Sequence, residues 1–110
     1  MANTFKNAQS VNVGTSAVSV YTTPSSTTTT IIGLSLANVS GSSITATVEV
    51  TDTSASTTAK VVKNAPIPVG SSLVAVGGDQ KIVLETGDIL KVTASAANSV
   101  DAIVSYMEQT

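Results

Sequence analysis

The sequence contains no histidine, cysteine, tryptophan or arginine. Histidine and cysteine are the side chains that most often exchange protons or act as nucleophiles near neutral pH, so their absence argues against an enzyme. Without cysteine, disulfides and thiolate-bound metals are excluded. Charged residues are also scarce, at 11% of the 110 residues against about 25% in an average soluble domain. The chain therefore offers little for catalysis, and we expect it to need no cofactor.

Basic charge and long hydrophobic runs are scarce as well. Five scattered lysines face seven acidic residues, which gives a net charge of −2. Binding to nucleic acid needs a basic surface that displaces counterions from phosphates, so we expect no nucleic-acid partner. The longest apolar runs, such as 73–76, have four or five residues, whereas a membrane-spanning helix needs about 20. We therefore expect no membrane partner, and the polar residues 1–6 do not resemble a secretory signal, which favours assembly in the cytoplasm.

Residues that favour β-strands dominate what is present. Valine, isoleucine and threonine supply 40 residues, and serine and threonine together supply 33. β-branched side chains pack well on a pleated sheet and lose rotamer freedom in a helix. Short segments in which apolar and polar residues alternate are separated by turn residues, which predicts about nine strands. The predicted strand segments are 11–13, 17–22, 32–37, 44–51, 59–63, 73–76, 81–85, 90–94 and 100–104.

The alternation also indicates which side chains point into the core. In segment 32–37 the apolar residues are Ile32, Leu34 and Leu36, and the next segment alternates in the same way. A turn-rich stretch separates the two segments. Pairing Leu36 with Ile44 and Ile32 with Val48 places both apolar sets on one side, so the pattern predicts a hairpin.

The last two segments repeat this arrangement. Pairing Ala94 with Val100 across the turn aligns their apolar faces and predicts a second hairpin. On its outer face Lys91 and Asp101 are expected to form a cross-strand surface ion pair, which contributes at most about 1 kcal/mol.

Regular turn signals without helical periodicity predict an all-β fold. The architecture expected is an antiparallel two-sheet β-sandwich with jelly-roll or immunoglobulin-like strand order, and the pattern leaves these two orders open. The length of 110 residues fits a single domain, 1–110. Pro66 and Pro68 cannot donate to a strand ladder, so they are expected at a sheet edge or at a crossing between sheets.

None of the motifs indicates chemistry. Thr57 lies shortly before Lys60, but no helix aligns the two side chains. Glu85 and Asp88 are expected to solvate a turn rather than to act as an acid/base pair. The glycine-containing segment 77–80 fits a flexible turn better than a phosphate-binding loop, because no helix follows it. We expect no catalytic and no cofactor-binding residues.

A metal site is also not expected. The candidate ligands Asp52, Asp79, Asp88 and Asp101 are separate in the sequence, and none belongs to a loop of alternating oxygen ligands. The sequence therefore predicts that divalent ions have no resident site.

Phe5 is a lone aromatic residue in a polar amino-terminal segment. Residues 1–12 alternate only weakly and are predicted to form an extended arm that lies on a neighbouring subunit. In that arrangement Phe5 is an inter-subunit contact. The alternative is that Phe5 caps the core of its own chain.

Several stretches of the sequence resemble one class of protein. These are GTSAVSVY at 14–21, the threonine-rich run that leads into IIGL at 31–34, KNAPIP at 63–68, and the stretch from TGDIL at 86–90 to SVDA at 99–102. Together they resemble small virion structural proteins of tailed bacteriophages, in particular those that infect marine bacteria and cyanobacteria. The resemblance spans most of the chain.

The resemblance implies a virion component. The leading hypothesis is a capsid decoration or cement protein that stabilises the head lattice, located in the virion and assembled in the host cytoplasm. The expected partners are copies of itself, in a homo-oligomer such as a trimer, and the major capsid protein or other virion proteins. The alternatives are a tail, fibre or baseplate component involved in host attachment, and a stand-alone β-sandwich binding module.

Overall fold

The computed structural model describes residues 2–77 and 80–110, and this part of the chain contains nine β-strands and no helix. Met1, Gly78 and Asp79 lie outside the described residues. Met1 belongs to the predicted arm, Gly78 and Asp79 belong to the predicted turn at 77–80, and Asp79 is also one of the candidate metal ligands. No helix in the described ranges is long and apolar enough to cross a bilayer. The strands are β1 (Asn3–Val13), β2 (Val18–Thr22), β3 (Thr28–Asn38), β4 (Ile44–Asp52), β5 (Thr57–Ile67), β6 (Ser72–Val76), β7 (Ile82–Leu84), β8 (Ile89–Ala94) and β9 (Val100–Gln109).

The strands form two antiparallel sheets packed face to face, as the alternation predicts. Sheet A has the order β1-β9-β3-β6, with β7 also paired to β3, and sheet B has the order β2-β8-β4-β5. Because β6 and β7 pair with successive parts of β3, they are two segments of one edge strand. The first strand then pairs with the last, and the second with the last but one. This is the jelly-roll order, which decides between the two predicted topologies.

The first predicted hairpin is wrong, although the predicted faces are largely right. Leu36 pairs with Ala102 and Leu73 in sheet A, whereas Ile44 pairs with Ile67 in sheet B. Leu36 and Ile44 are both buried. An alternating segment shows which of its sides is apolar, but the core side of either sheet satisfies that pattern equally well.

The second predicted hairpin is wrong for the same reason. β8 lies between β2 and β4 in sheet B, whereas β9 lies between β1 and β3 in sheet A. The predicted ion pair is absent as a consequence. Lys91 pairs in register with Glu49, and the carboxylate of Asp101 accepts a hydrogen bond of 2.9 Å from the Asn12 N–H.

A register shift in β3 corrects one predicted core residue. The pairing with β9 runs from Ile31–Tyr106 directly to Gly33–Ser105, so Ile32 is an extra residue in a β-bulge. Ile31 is therefore fully buried and Ile32 is only partly buried. Leu34 and Leu36 follow the bulge and point inwards as predicted.

The prolines confirm the predicted sheet edge. Pro66 lies in β5, which is the edge strand of sheet B and pairs only with β4. Pro68 follows directly, in the connection that crosses to β6 in sheet A. Neither position requires an N–H donor in the interior of a sheet.

The amino-terminal segment is a strand of the sandwich. Residues 3–10 pair continuously with β9, and a register shift precedes the pairing of Val13 with Val100. The segment is therefore not the expected arm on a neighbouring subunit, because its backbone is hydrogen-bonded within its own sheet. The weak alternation of the segment fits an edge position, where few side chains reach the core.

We predict that charge is tolerated on one face of β8 and β9 and not on the other. Val92→Asp and Val104→Asp place a carboxylate at positions that are 0% exposed, and burial of an unpaired charge costs several kcal/mol against a total stability of about 5 to 15 kcal/mol. These variants should fail to fold by circular dichroism. Thr93→Asp and Ser105→Asp point outwards and should fold. Equal tolerance of both pairs would contradict the assigned faces.

Candidate assembly surfaces

The outer face of sheet A carries rows of uncharged side chains. The pairing registers align Phe5, Met107, Thr30 and Val83 in one row. A second row contains Asn7, Ser105 and Gly33, and a third contains Gln9, Ile103, Ser35 and Val74. None of these side chains is ionisable. We call these three rows the A face.

The A face exposes large apolar side chains. Phe5 is 73% exposed, Val74 is 67%, Val83 is 61% and Ile103 is 47%. A shallow groove of about 330 Å³ lies in the same face, where Gly33 has no side chain to fill the space between β9 and β6. The groove is lined by Gly33, Leu34, Ser35, Val74, Val76, Gly77, Ile103 and Ser105.

The outer face of sheet B is different in character. Glu49 pairs in register with Lys91, and its Oε2 accepts an ion-pair contact of 3.3 Å from the Nζ of Lys60. Threonine hydroxyls cover the adjacent positions, among them Thr47 and Thr93, which lie opposite each other. The two outer faces therefore differ in charge. The three rows of the A face carry none, with Asp101 in the row beyond Ile103, whereas the centre of the sheet B face carries Glu49, Lys60 and Lys91.

Phe5 lies at the margin of the A face, where β1 forms the edge of sheet A. Its exposure of 73% shows that the alternative position, capping the core of its own chain, is wrong. Its predicted role as an inter-subunit contact stays a prediction. The side chain is available for such a contact because it points away from the core.

A buried polar cluster joins the two sheets beneath β1. The hydroxyl of Tyr21, on β2, donates a hydrogen bond of 2.6 Å to Oε2 of Glu108, on β9. The same hydroxyl lies 2.7 Å from Oγ1 of Thr29, and Nζ of Lys6 donates to Oε1 of Glu108 at 2.9 Å. The ring of Tyr106 packs against Tyr21 with a centroid separation of 4.2 Å. Tyr21 and Lys6 therefore both donate to the Glu108 carboxylate, and Thr29 joins the cluster through the Tyr21 hydroxyl. The cluster connects three strands of sheet A with one strand of sheet B.

The protonation states follow from these contacts. The hydrogen bonds from Tyr21 and then Lys6 hold the pKa of Glu108 below its ordinary value, so the carboxylate is charged near neutral pH. Burial, together with the bond to Glu108, raises the pKa of Tyr21 and keeps the phenol protonated. The bond to Glu108 raises the pKa of Lys6. The cluster is therefore a structural clamp with fixed proton positions, and its groups do not titrate near pH 7.

Three acidic side chains meet at one end of sheet B. Asp52, Glu85 and Asp88 each place a carboxylate oxygen within 4.8 Å of the others. Glu85 and Asp88 are neighbours in the sequence, as considered above, but spacing along the chain gives no sign that Asp52 joins them. The carboxylate of Asp88 accepts hydrogen bonds from the N–H of Thr53 at 3.2 Å and of Glu85 at 3.0 Å, so it already closes two loops.

No protein-family model matches the sequence, and no curated protein is similar to it. Among solved structures, the chain is similar to a protein of Bacillus endospore appendages, described as a novel family of disulfide-linked pili. The TM-score is 0.59 with 14% identity, over 99% of this chain and 87% of that one. This likeness shows a shared fold.

Two viral proteins are more distant in structure. A pentameric capsid protein isolated from metagenomic phage sequences gives a TM-score of 0.42 with 23% identity, over 96% of this chain and 61% of that one. A chain from infectious bursal disease virus, Gt strain, gives 0.44 with 11% identity, over 98% and 30% of the two chains.

We predict that the Tyr21–Glu108 bond stabilises the sandwich in a pH-dependent way. Loss of a hydrogen bond to a charged group costs about 1.5 to 3 kcal/mol, so Tyr21→Phe should lower the free energy of unfolding by that amount at pH 7. Because the pKa of Glu108 is lowered in the folded state, its contribution is complete above about pH 4.5 and is lost as the pH falls through the lowered value. Urea titrations at pH 7 and pH 3 measure the difference, which should shrink in acid. Tyr106→Phe keeps the ring that packs on Tyr21 and keeps the bonds to Glu108, so it should show no such pH dependence. An equal effect would contradict the assignment.

We also predict that Asp88 stabilises the fold as a hydrogen-bond acceptor. Asp88→Ala leaves the N–H groups of Thr53 and Glu85 without this acceptor, and loss of each hydrogen bond costs about 0.5 to 1.5 kcal/mol, since both residues are exposed and water can reach the donors. The loss in melting temperature should be equal in a chelator and in calcium. If calcium instead raises the melting temperature of the unmodified chain by several degrees, the three carboxylates bind the ion, since binding to the native state stabilises it by mass action.

Proposed function

We propose that the chain is a structural subunit of a virus particle and that it acts as a capsid decoration or cement protein attached through the A face. The observation that carries this proposal is the combination of exposed aliphatic and aromatic side chains with a complete absence of charge in the three rows of that face. The particle expected from the sequence resemblance is that of a tailed bacteriophage.

The two outer faces differ in the free energy that their removal from water costs. Transfer of a charged side chain out of water is expensive unless it finds a partner, whereas burial of a large apolar side chain contributes roughly 1.5 to 3 kcal/mol. The A face has Phe5, Val74, Val83 and Ile103 to bury and no charge to dehydrate. The face of sheet B presents Glu49, Lys60 and Lys91. The free energy of association is therefore much more favourable through the A face than through the outer face of sheet B.

Several exposed apolar side chains on an uncharged face also have a cost when they are left open, because they promote non-specific association. A permanent contact with a repetitive particle covers them. The fold is compatible with a structural use, since the protein that shares it belongs, by its description, to Bacillus endospore appendages that form pili. On this proposal the chain has no catalytic activity, and it is located in the virion after assembly in the host cytoplasm.

Copy number in purified particles distinguishes the proposal from its alternatives. Quantitative mass spectrometry against the major capsid protein should give hundreds of copies for a decoration protein. A few to a few dozen copies would indicate a tail, fibre or baseplate component. The absence of the chain from particles would contradict both and would favour a stand-alone binding module.

We predict that charge in the A face abolishes attachment and that equal charge on sheet B does not. Val74→Lys combined with Ile103→Lys places two cations where apolar contact is proposed, and binding to particles that lack the chain should weaken at least about tenfold, which corresponds to 1.4 kcal/mol. The matched control is Thr45→Lys combined with Thr93→Lys, which adds the same charge to sheet B. Co-sedimentation with particles measures both. Equal binding by the two variants would show that attachment does not use the A face.

A further inference from the structure

The two sheets have four edges, formed by β1 and the β6–β7 strand in sheet A and by β2 and β5 in sheet B. An exposed edge presents unpaired N–H and C=O groups that can pair with another chain. Proteins block such edges with short strands, prolines, lysines or bulges. In residues 2–77 and 80–110, three edges carry such devices along their length, whereas β1 is regular as far as Ser10 and has a register shift only between Ser10 and Val13.

The three blocked edges use different devices. β2 has five residues and a register shift in its pairing with β8. β5 contains Pro66, Lys60 and Lys63, and its pairing with β4 has two register shifts. The third edge is broken between Val76 and Ile82, where β6 ends and β7 begins. Each of these edges is a poor template for another strand.

The edge of β1 is long and open. The strand has 11 residues without proline, and its pairing is regular as far as Ser10. Its only charged side chain, Lys6, is bound to Glu108 and not directed at an incoming strand. Phe5 and Val11 are 73% and 63% exposed at either end of the strand.

The backbone hydrogen bonds show which groups of β1 are free. Ala2 and Thr110 exchange N–H···O bonds of 3.1 and 3.0 Å, so they are a hydrogen-bonded antiparallel pair. Such pairs alternate along a ladder, which directs the N–H and C=O groups of the even-numbered residues towards β9. The groups of Asn3, Phe5, Asn7 and Gln9 therefore point to the open side.

We propose that two copies of this chain pair through β1, antiparallel and about a two-fold axis at Ala8. Phe5 then faces Val11 of the second copy, and Asn7 faces Gln9, in both halves of the interface. Aromatic with β-branched and amide with amide are favourable cross-strand pairs. In this register the outward backbone groups of Asn7 and Gln9 meet at the centre of the interface. Val11 lies in the register shift after Ser10, so its exposed side chain, and not a regular ladder, contributes the contact with Phe5. The two A sheets become one continuous sheet.

Neighbouring registers with the same backbone matching are less favourable. A two-fold axis at Lys6 places the two lysines directly opposite each other, which is destabilising. An axis at Asn7 faces Phe5 with Gln9 and leaves Val11 opposite Asn3. Of these three registers, only the axis at Ala8 matches the apolar ends of the strand with each other.

The pairing does not require the proposed attachment to particles. Phe5 belongs to both surfaces, but the backbone groups that pair lie at the edge of sheet A, and the attachment test changes Val74 and Ile103, which lie away from that edge. The pairing is measurable on the purified full-length chain alone. A failure of particle binding would leave it unaffected, and a monomeric chain could still bind particles.

A cysteine scan tests the register, since the chain has no native cysteine. In the proposed pair, Ala8 faces itself at a site without mutual backbone bonds, where Cα atoms lie about 4.5 Å apart, within the range that a disulfide spans. Ala8→Cys should therefore form a reducible covalent dimer on mild oxidation. The matched control Asn7→Cys places the Cα atoms about 8 Å apart, beyond that range, and should not cross-link. Cross-linking of Asn7→Cys in preference to Ala8→Cys would overturn the register.

A charge swap tests the same contacts without oxidation. Phe5→Lys combined with Val11→Lys places a lysine opposite a lysine in both halves of the interface. The dimer dissociation constant measured by sedimentation equilibrium should rise at least about tenfold. Phe5→Lys combined with Val11→Glu opposes unlike charges twice and should restore pairing. Both residues are exposed, so circular dichroism should show that each variant folds.

Asn7→Pro tests the backbone, because it removes an outward N–H at an edge position that tolerates proline. The variant should be a folded monomer, whereas the unmodified chain should show a concentration-dependent monomer–dimer equilibrium. A monomer at every concentration, a trimer or pentamer, or a dimer insensitive to Asn7→Pro would each overturn the proposal.

Discussion

The antiparallel pairing of β9 with β1 on one side and β3 on the other holds the first, third and last strands of the chain in one sheet. Asn3 pairs with Gln109 at one end of this arrangement, and Asn38 pairs with Val100 at the other. The A face, the buried clamp and the open edge all depend on it. Contacts of such long sequence separation form slowly, because closure of a long loop precedes any gain in contact energy. The sheet is therefore complete only when the last strand is in place.

The clamp at Glu108 fixes β9 to sheet B as well as to β1. Tyr21 reaches the carboxylate from the second sheet, and Lys6 reaches it from the edge strand. A carboxylate at this depth is tolerated because both of its oxygens have donors. The outward backbone groups of β1 are free because the ladder with β9 uses the even-numbered residues, and the Lys6 side chain is held by Glu108. The same strand is therefore fixed on one side and open on the other.

Alternation along the chain was sufficient to predict the all-β class, the number of strands and most of the inward positions in segments 32–37, 44–51, 90–94 and 100–104. It was insufficient for strand partners: β3 and β4 are adjacent in sequence and apolar on matching sides, yet they belong to different sheets. The bulge at Ile32 made the predicted inward residue Ile32 wrong and turned Ile31 inwards. Because both residues are isoleucine, the sequence gives no sign of the shift. Asp52 and Asp88 meet only because β4 and β8 are neighbours in sheet B, and that information is in the topology and not in the spacing. Phe5 could be named as a candidate contact residue from the sequence, because it is the only aromatic residue in a polar segment. The A face could not be predicted, because its rows depend on the pairing registers of five strands.

The hydrogen bonds between Ala2 and Thr110 bring the two ends of the described chain to a single corner of sheet A, beside the open edge. Any polypeptide joined to either end therefore leaves from that same corner, close to Phe5. A short linker between these two residues would close the chain into a ring without distorting the sandwich, and new ends could then be opened in a surface turn. The fold therefore lends itself to circular permutation, with cargo moved from the edge of the sheet to a loop of choice.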